Sequence, residues 1–195
     1  MLELAILGLL KDRAVHGYQL KKHLADTLGS FWQVSYGSLY PALKRLQRQG
    51  AVEMIFPKDE VGRRKNVYRI TPKGEALFAE LLEQAGQEAS GDNGFSVRLA
   101  FFKYLKPETR IRLLERRRAF LEGRGFTLKE KLRSYKQSLD NYALSLMNHE
   151  LRTTEDDIRW LDELIQAERR QAKPAARRSG RPRATRPLAQ KERAL

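Results

Sequence analysis

Across the first 50 residues, apolar positions recur at helical spacing in three successive stretches. Leu2, Ala5, Ile6, Leu9 and Leu10 form the first stripe, closed by the polar break KDRAV. HGYQLKKHLADTLG follows, with Tyr18, Leu20, Leu24 and Leu28 as its candidates for the interior. In SYGSLYPALKRLQRQG, residues 35–50, Leu39, Leu43 and Leu46 recur at intervals of four and three and share one buried face. Ser35 supplies an N-cap for this helix and Gly50 a stop. Pro41 loses one ladder bond and crowds the carbonyl of Gly37, where local adjustment is easiest. Tyr36, Ser38, Lys44, Arg45 and Arg48 fall on the flanks and outer side. The period then changes. AVEMIF and NVYRIT are short β-prone runs about the polar, basic KDEVGRRK, which reads as a β-hairpin.

Beyond the hairpin the pattern is almost entirely helical. Thr71 caps and Pro72 opens a helix that brings Leu77, Phe78, Leu81 and Leu82 inward. GQEASGDNG interrupts, the short apolar FSVRLAFFKYL follows, and Pro107 marks another start. Leu114, Leu121, Leu128, Leu132, Tyr135, Leu139, Tyr142, Leu146 and His149 then trace one long pattern, and from Leu128 its spacing alternates between four and three. Gly123 and Gly125 are places where that helix bends or divides. LRTTEDD predicts a reset, with a threonine cap and acidic residues at the start of a last helix lined by Ile158, Leu161, Leu164 and Ile165 beside Trp160. The fold expected is mainly α with a small β-hairpin wing: a winged helix-turn-helix head over residues 1–75 and a helical dimerisation domain over 76–172. Residues 173–195, rich in Arg, Pro, Ala and Ser, offer little to bury and read as a disordered basic tail.

Composition narrows the classes. The 195 residues contain no cysteine, which removes disulfides, thiol catalysis and cysteine-based zinc sites. MLELAILGLL lacks a basic n-region and a small-residue cleavage pattern, and no 18-residue apolar run follows, so a soluble cytoplasmic protein without a membrane partner is expected. The formal charge is +14, but residues 169–195 carry ten Lys or Arg against Glu192, leaving +5 for residues 1–168. Polyanions, nucleic acid first, are the partners this balance favours.

The candidate chemistry is that of binding. His16, His23 and His149 are scattered, without zinc-site spacing, and Ser38 has no sequence-marked base beside it, so no catalytic residue, metal or cofactor is expected. Tyr36, Ser38, Tyr40, Lys44 and Arg48 on the third helix, with Arg63, Arg64 and Lys65 on the hairpin, are the candidate contacts to double-stranded DNA. Each element alone is equally an ordinary solvated face; together, in this order, they lie on one side of a winged helix. The seam of Leu128, Leu132, Tyr135, Leu139, Tyr142 and Leu146, with Trp160, points to a twofold homodimer whose heads meet adjacent turns of a roughly palindromic operator. Packing within one chain is the alternative for that seam. Nonspecific coating of nucleoid DNA, suggested by the tail, and a protein-binding adaptor on the same scaffold are the rival functions.

ILGLL at 6–10, HGYQL at 16–20, GSFWQVSYGSLYPALKRL at 29–46, GRRKNVYRIT at 62–71 and the KG of 73–74 resemble the PadR family of bacterial transcriptional regulators. The longer C-terminal region is similar to the form of that family with an extended helical dimerisation domain. The resemblance implies a winged-helix homodimer, usually a repressor that leaves its promoter when a small aromatic or hydrophobic effector binds. It places the recognition element around Tyr36 to Lys44, assigns Arg63, Arg64, Lys65 and Tyr68 to the wing and its support, and gives Trp32 a packing role. Ala14 and Val15 depart from the proline common before His-Gly-Tyr, GAV at 50–52 replaces a common GLI, and the basic tail is not a general family feature.

Overall fold

The computed structural model describes residues 1–29, 32, 34–56, 66–84, 91–135 and 138–178. Helices α1 (Leu2–Asp12), α2 (Gly17–Leu28) and α3 (Tyr36–Arg48) come first, with a two-residue strand β1 (Val15–His16) between α1 and α2. Strands β2 (Val52–Ile55) and β3 (Val67–Ile70) form the hairpin, followed by α4 (Pro72–Glu83), α5 (Gly91–Leu99), a 3-10 turn at Phe102–Tyr104, α6 (Pro107–Tyr135) and α7 (Asn141–Arg178).

LELAILGLL is apolar almost all round, so α1 is the hub rather than one wall of the head. Leu4, Ala5, Ile6, Leu7, Gly8 and Leu10 are all buried, a wider set than the single stripe expected. At Gly8 an added Cβ would lie 2.4 Å from Phe101 Cε1, so the missing side chain is what lets the ring of the following region seat against α1. In α2, Leu20, Leu24 and Leu28 turn inward as expected, but Tyr18 is 77% exposed. The strand β1 just before α2 is an antiparallel partner of β3 that pairs Val15 with Tyr68 and His16 with Val67. The sheet order is therefore β1-β3-β2, one strand more than the hairpin alone.

Hairpin and head join at a tight corner. Thr71 Oγ1 accepts from the Gly74 amide at 3.1 Å and donates to the Gly50 carbonyl at 2.6 Å, while the Thr71 amide donates to the Ala51 carbonyl at 3.1 Å. Pro72 opens α4, and Phe78 and Leu82 face the core. Phe78 meets Phe101 and Tyr104 edge-on, with ring centroids 5.9 and 5.4 Å away. Phe101 and Phe102 are buried, so the aromatic cluster of this region fills core.

α6 and α7 are antiparallel partners. Arg110 with Glu168, Arg118 with Asp162, Arg124 with Glu150 and Lys129 with Glu155 bridge them at 3.3, 2.8, 2.7 and 2.8 Å. The last three, roughly half-exposed, set register more than they stabilise, at about 0–1 kcal/mol each, while Arg110 and Glu168 are mostly buried. The energy lies beneath them, in Leu113, Leu114, Leu121 and Leu128 of α6 and Leu161 and Ile165 of α7, all buried.

Two expectations fail in this region. Gly123 and Gly125 do not divide α6, which is continuous; Gly125 is buried with Thr154 Cγ2 at 3.7 Å from a Cβ built there. LRTTEDD does not restart the chain. The cap of α7 is Asp140, whose carboxylate accepts from the amides of Tyr142 and Ala143, and the hydroxyls of Thr153 and Thr154 donate back to the carbonyls of His149 and Glu150 inside an unbroken helix. A threonine hydroxyl inside a helix takes this bond to the carbonyl four residues back, at a slight cost to the helix. The backbone of α7 runs through Arg178, and residues 179–195 lie outside the described residues.

Candidate nucleic-acid interface

The candidate interface is built on α3. Ser35 caps it by accepting from the Ser38 amide at 3.2 Å, and the Ser38 hydroxyl donates to the Ser35 carbonyl at 3.0 Å. The helix passes through Pro41 without a break, and among the described residues the only atom within 4 Å of a Cβ built at Gly37 is Ser35 Oγ at 3.7 Å. Leu39, Ala42, Leu43 and Leu46 anchor the inner face. Tyr36, Ser38, Tyr40, Lys44 and Arg48 are all exposed on the other.

The exposed face is ordered by its own contacts. Tyr36 and Tyr40 stack with centroids 6.1 Å apart and planes at 21°. Lys21 of α2 sits over the Tyr36 ring, its Nζ 4.4 Å from the centroid, a cation–π contact that fixes a positive charge beside α3. Sequence reasoning passed over Lys21, because nothing local links it to residue 36. It also counted Arg45 among three cations of the outer side, whereas Arg45 Nε lies 3.1 Å from Glu3 Oε1 of α1. Lys44 and Arg48 have no ion-pair partner among the described residues. Arg63, Arg64 and Lys65 lie outside the described residues, so the hairpin is seen here only as its two strands, with Glu53 and Arg69 facing each other across it at 2.8 Å.

Where α3 meets the base of the hairpin, His16, Gly17, Tyr18, Gln19, Tyr40, Asn66 and Tyr68 line a cleft of about 510 Å³. Tyr68 is 6% exposed, and burial, together with the nearby Tyr40, holds its phenol above the ordinary value of 10.0, so the hydroxyl stays protonated at neutral pH. A Cβ at Gly17 would stand 2.8 Å from Tyr68 Cε2, so glycine there is what admits the ring. Trp32 is half-buried and packs against the head core.

The residues read as a dimer seam are divided between α6, the connection after it and α7. Leu128 is buried within the chain and Leu132 and Leu139 are half-buried, while Tyr135, Tyr142 and Leu146 are 56%, 89% and 68% exposed near the tip where α6 gives way to α7. Trp160 lies eighteen residues beyond Tyr142, roughly 27 Å along the helix at 1.5 Å per residue, and packs edge-on against Phe95 at 6.3 Å. The four-three spacing was real, but the break between α6 and α7 folds it back on itself. A second cleft, of about 530 Å³, lies beside Trp160 and is lined by Thr27, Leu28, Ser96, Leu99, Ala100 and Asp157.

A helix-turn-helix whose exposed second helix stands beside a β-hairpin defines the winged helix-turn-helix class. The chain belongs to the PadR-like family of transcriptional regulators: residues 6–80 match that family, and residues 93–168 match the family described as virulence activator alpha C-term. It is 36% identical over 85 residues to the transcriptional regulator Rv3488 of Mycobacterium tuberculosis, a match that takes in 41% of this chain and 74% of that protein. It is 31% identical over 75 residues to the negative transcriptional regulator PadR of Bacillus subtilis, covering 38% of this chain but only 41% of the relative's length. Among solved structures, a PadR-like regulator from Bacillus cereus is 31% identical over 46% of this chain and 84% of its own, with a TM-score of 0.39. Bacillus subtilis PadR in complex with operator DNA is 22% identical, covering 86% of this chain and 98% of its own, with a TM-score of 0.41.

Proposed function

We propose that this chain is a sequence-specific, duplex-binding repressor that acts as a homodimer in the cytoplasm and responds to a small aromatic or hydrophobic effector. The observation that carries the reading is the outward face of α3, where Tyr36, Ser38, Tyr40, Lys44 and Arg48 stand exposed on a helix pinned by four buried residues. Such a face combines charge for phosphates with hydroxyl donors for base edges or backbone. Arg63, Arg64 and Lys65 extend the contact along the wing, and residues 1–75 act as the head, 76–172 as the dimerising part and 173–195 as a basic tail. The names of the relatives from Mycobacterium and Bacillus support regulation, and the Bacillus name supports repression.

Two copies present their heads at a fixed spacing when the exposed Tyr135, Tyr142 and Leu146 of one chain cover those of another. The effector occupies the cleft beside Trp160, which touches Thr27 and Leu28 at the C-terminal end of α2. The N-terminal end of that helix borders Tyr40 of α3, so a shift of α2 as a rigid body connects the two ends. Selection of bound sites from random DNA, followed by fluorescence anisotropy on the recovered duplex, tests the central reading. A narrow, twofold-symmetric consensus is expected. An unstructured collection of sequences would favour nonspecific coating, and no recovered duplex at low salt would leave the adaptor reading standing.

A further inference from the structure

Tyr36 opens α3 and is 42% exposed, so the core of the head does not fix its ring. Two contacts from outside the core do. Tyr40, four residues on, stacks against it with centroids 6.1 Å apart and planes at 21°. Lys21 reaches across from α2 and sets its ammonium 4.4 Å from the Tyr36 centroid. Lys21 is half-buried and pairs with no carboxylate among the described residues, so the ring is what its charge meets. Its neighbour Lys22 is exposed and meets no ring among the described residues.

The place of this contact in the fold gives it a consequence for recognition. Leu39, Ala42, Leu43 and Leu46 pin α3 from beneath, and Tyr36 stands at its N-terminal end. In helix-turn-helix docking the N-terminal residues of the second helix are the ones that meet base edges. A tyrosine there has two free torsions, and freezing them on binding lowers affinity unless they are held beforehand. At an exposed site a cation–π contact adds little to folding. It is nonetheless enough to choose between ring orientations of similar energy.

We propose that Lys21 is a positioning residue for sequence readout. By holding the Tyr36 ring against Tyr40, it aims the ring edge and hydroxyl of Tyr36 at one base pair in each half-site. A residue of α2 thereby sets sequence preference without touching DNA itself. A lysine on a phosphate acts differently: it strengthens every sequence alike and steepens the salt dependence. A lysine committed to a ring acts at one base-pair position. This inference rests on the duplex-binding reading above.

The test uses the full chain, a fluorescein-labelled duplex recovered by selection from random DNA, and copies in which each base pair of a half-site is exchanged in turn. Anisotropy gives, for each exchange, the factor by which affinity falls. Tyr36→Leu should lower that discrimination factor at one position and leave the others as in wild type. Lys21→Gln should lower the factor at the same position by roughly three- to tenfold. Lys21→Arg, whose guanidinium also sits well on an aromatic face, should restore it. Adding Lys21→Gln to Tyr36→Leu should lower it no further, because the ring through which Lys21 acts is gone. A merely structural lysine would weaken all duplexes alike and leave every factor unmoved. The positioning role is overturned by that uniform loss, by a salt slope reduced by about one in Lys21→Gln with all factors intact, or by additive losses in the double variant. If Lys44→Ala still binds less well than wild type in that case, the regulator reading stands. Failure of wild type to select or bind any duplex overturns both.

Discussion

Gly74 shows how little room the corner between hairpin and α4 leaves. A Cβ there would stand 2.0 Å from the Ala51 carbonyl oxygen, a backbone atom that also receives the Thr71 amide. Gly74→Ala should therefore cost at least about 1–3 kcal/mol, read as a lowered urea midpoint; an unchanged midpoint would mean that the corner opens freely. Lys44 and Arg45 are neighbours in sequence with opposite prospects. Lys44→Ala should weaken duplex binding and reduce the salt slope by about one, because Lys44 has no ion-pair partner among the described residues. Arg45→Ala, which breaks a pair with Glu3, should leave the slope nearly unchanged. Equal effects of the two substitutions in anisotropy titrations at several salt concentrations would contradict this division. The composition of α3 shows both residues as cations, and only a carboxylate arriving from forty-two positions away separates them.

Helix α7 was legible as apolar spacing but not as one element. Thr153 and Thr154 carry the residue types of a cap, and Asp156 and Asp157 the charges of a first turn, yet all four sit inside the helix. Burial of Leu161 and Ile165 against α6 outweighs the local preference for a stop, as tertiary packing commonly does over propensity. Leu161 is fully buried, so Leu161→Ala should cost about 2–5 kcal/mol in denaturant unfolding, against a negligible effect for the exposed Arg159→Ala. The join between α1 and the 3-10 turn is polar instead. Asp12 accepts from Lys103 at 2.8 Å and from the Tyr104 hydroxyl. The hydrogen bond from Lys103, then that from Tyr104, holds the Asp12 carboxyl below 3.8, so its contribution is complete above that value and fades as pH falls through the lower folded one. Lys103 is raised above 10.5, chiefly by the bond to Asp12, and Tyr104 above 10.0, chiefly by burial; both contributions are present below those values and fade as pH rises through the folded ones. The stability difference between wild type and Asp12→Asn should accordingly be flat from roughly pH 5 to 9 and shrink outside that range. A steep change near neutrality would remove this join as the source.

For the molecule as a whole, the exposed tip of the α6–α7 pair is the surface on which assembly is proposed to depend. Tyr142→Ser with Leu146→Ser alters side chains that are 89% and 68% exposed and should not disturb folding. Sedimentation equilibrium should show a shift toward monomer with unchanged helicity, and duplex affinity should fall with it. A variant that remains fully dimeric would move the interface away from the tip, toward the middle of α7, where Trp160 sits.

The order of the three helices of the head, the cap at Ser35, the passage of α3 through Pro41 and the hairpin after it were all determined by sequence alone, because each depends on spacing and turn chemistry within a few residues. What only the tertiary structure decided involves partners far apart in the chain. Packing buried most of α1 and left Tyr18 exposed. It brought Lys21 to Tyr36, gave Arg45 to Glu3, and gathered Tyr68, Tyr40 and the start of α2 around one cleft. It also folded a single heptad-like spacing into two antiparallel helices. Local rules specify which face of an element is apolar; which neighbour covers that face is settled by the burial the whole chain can achieve at once.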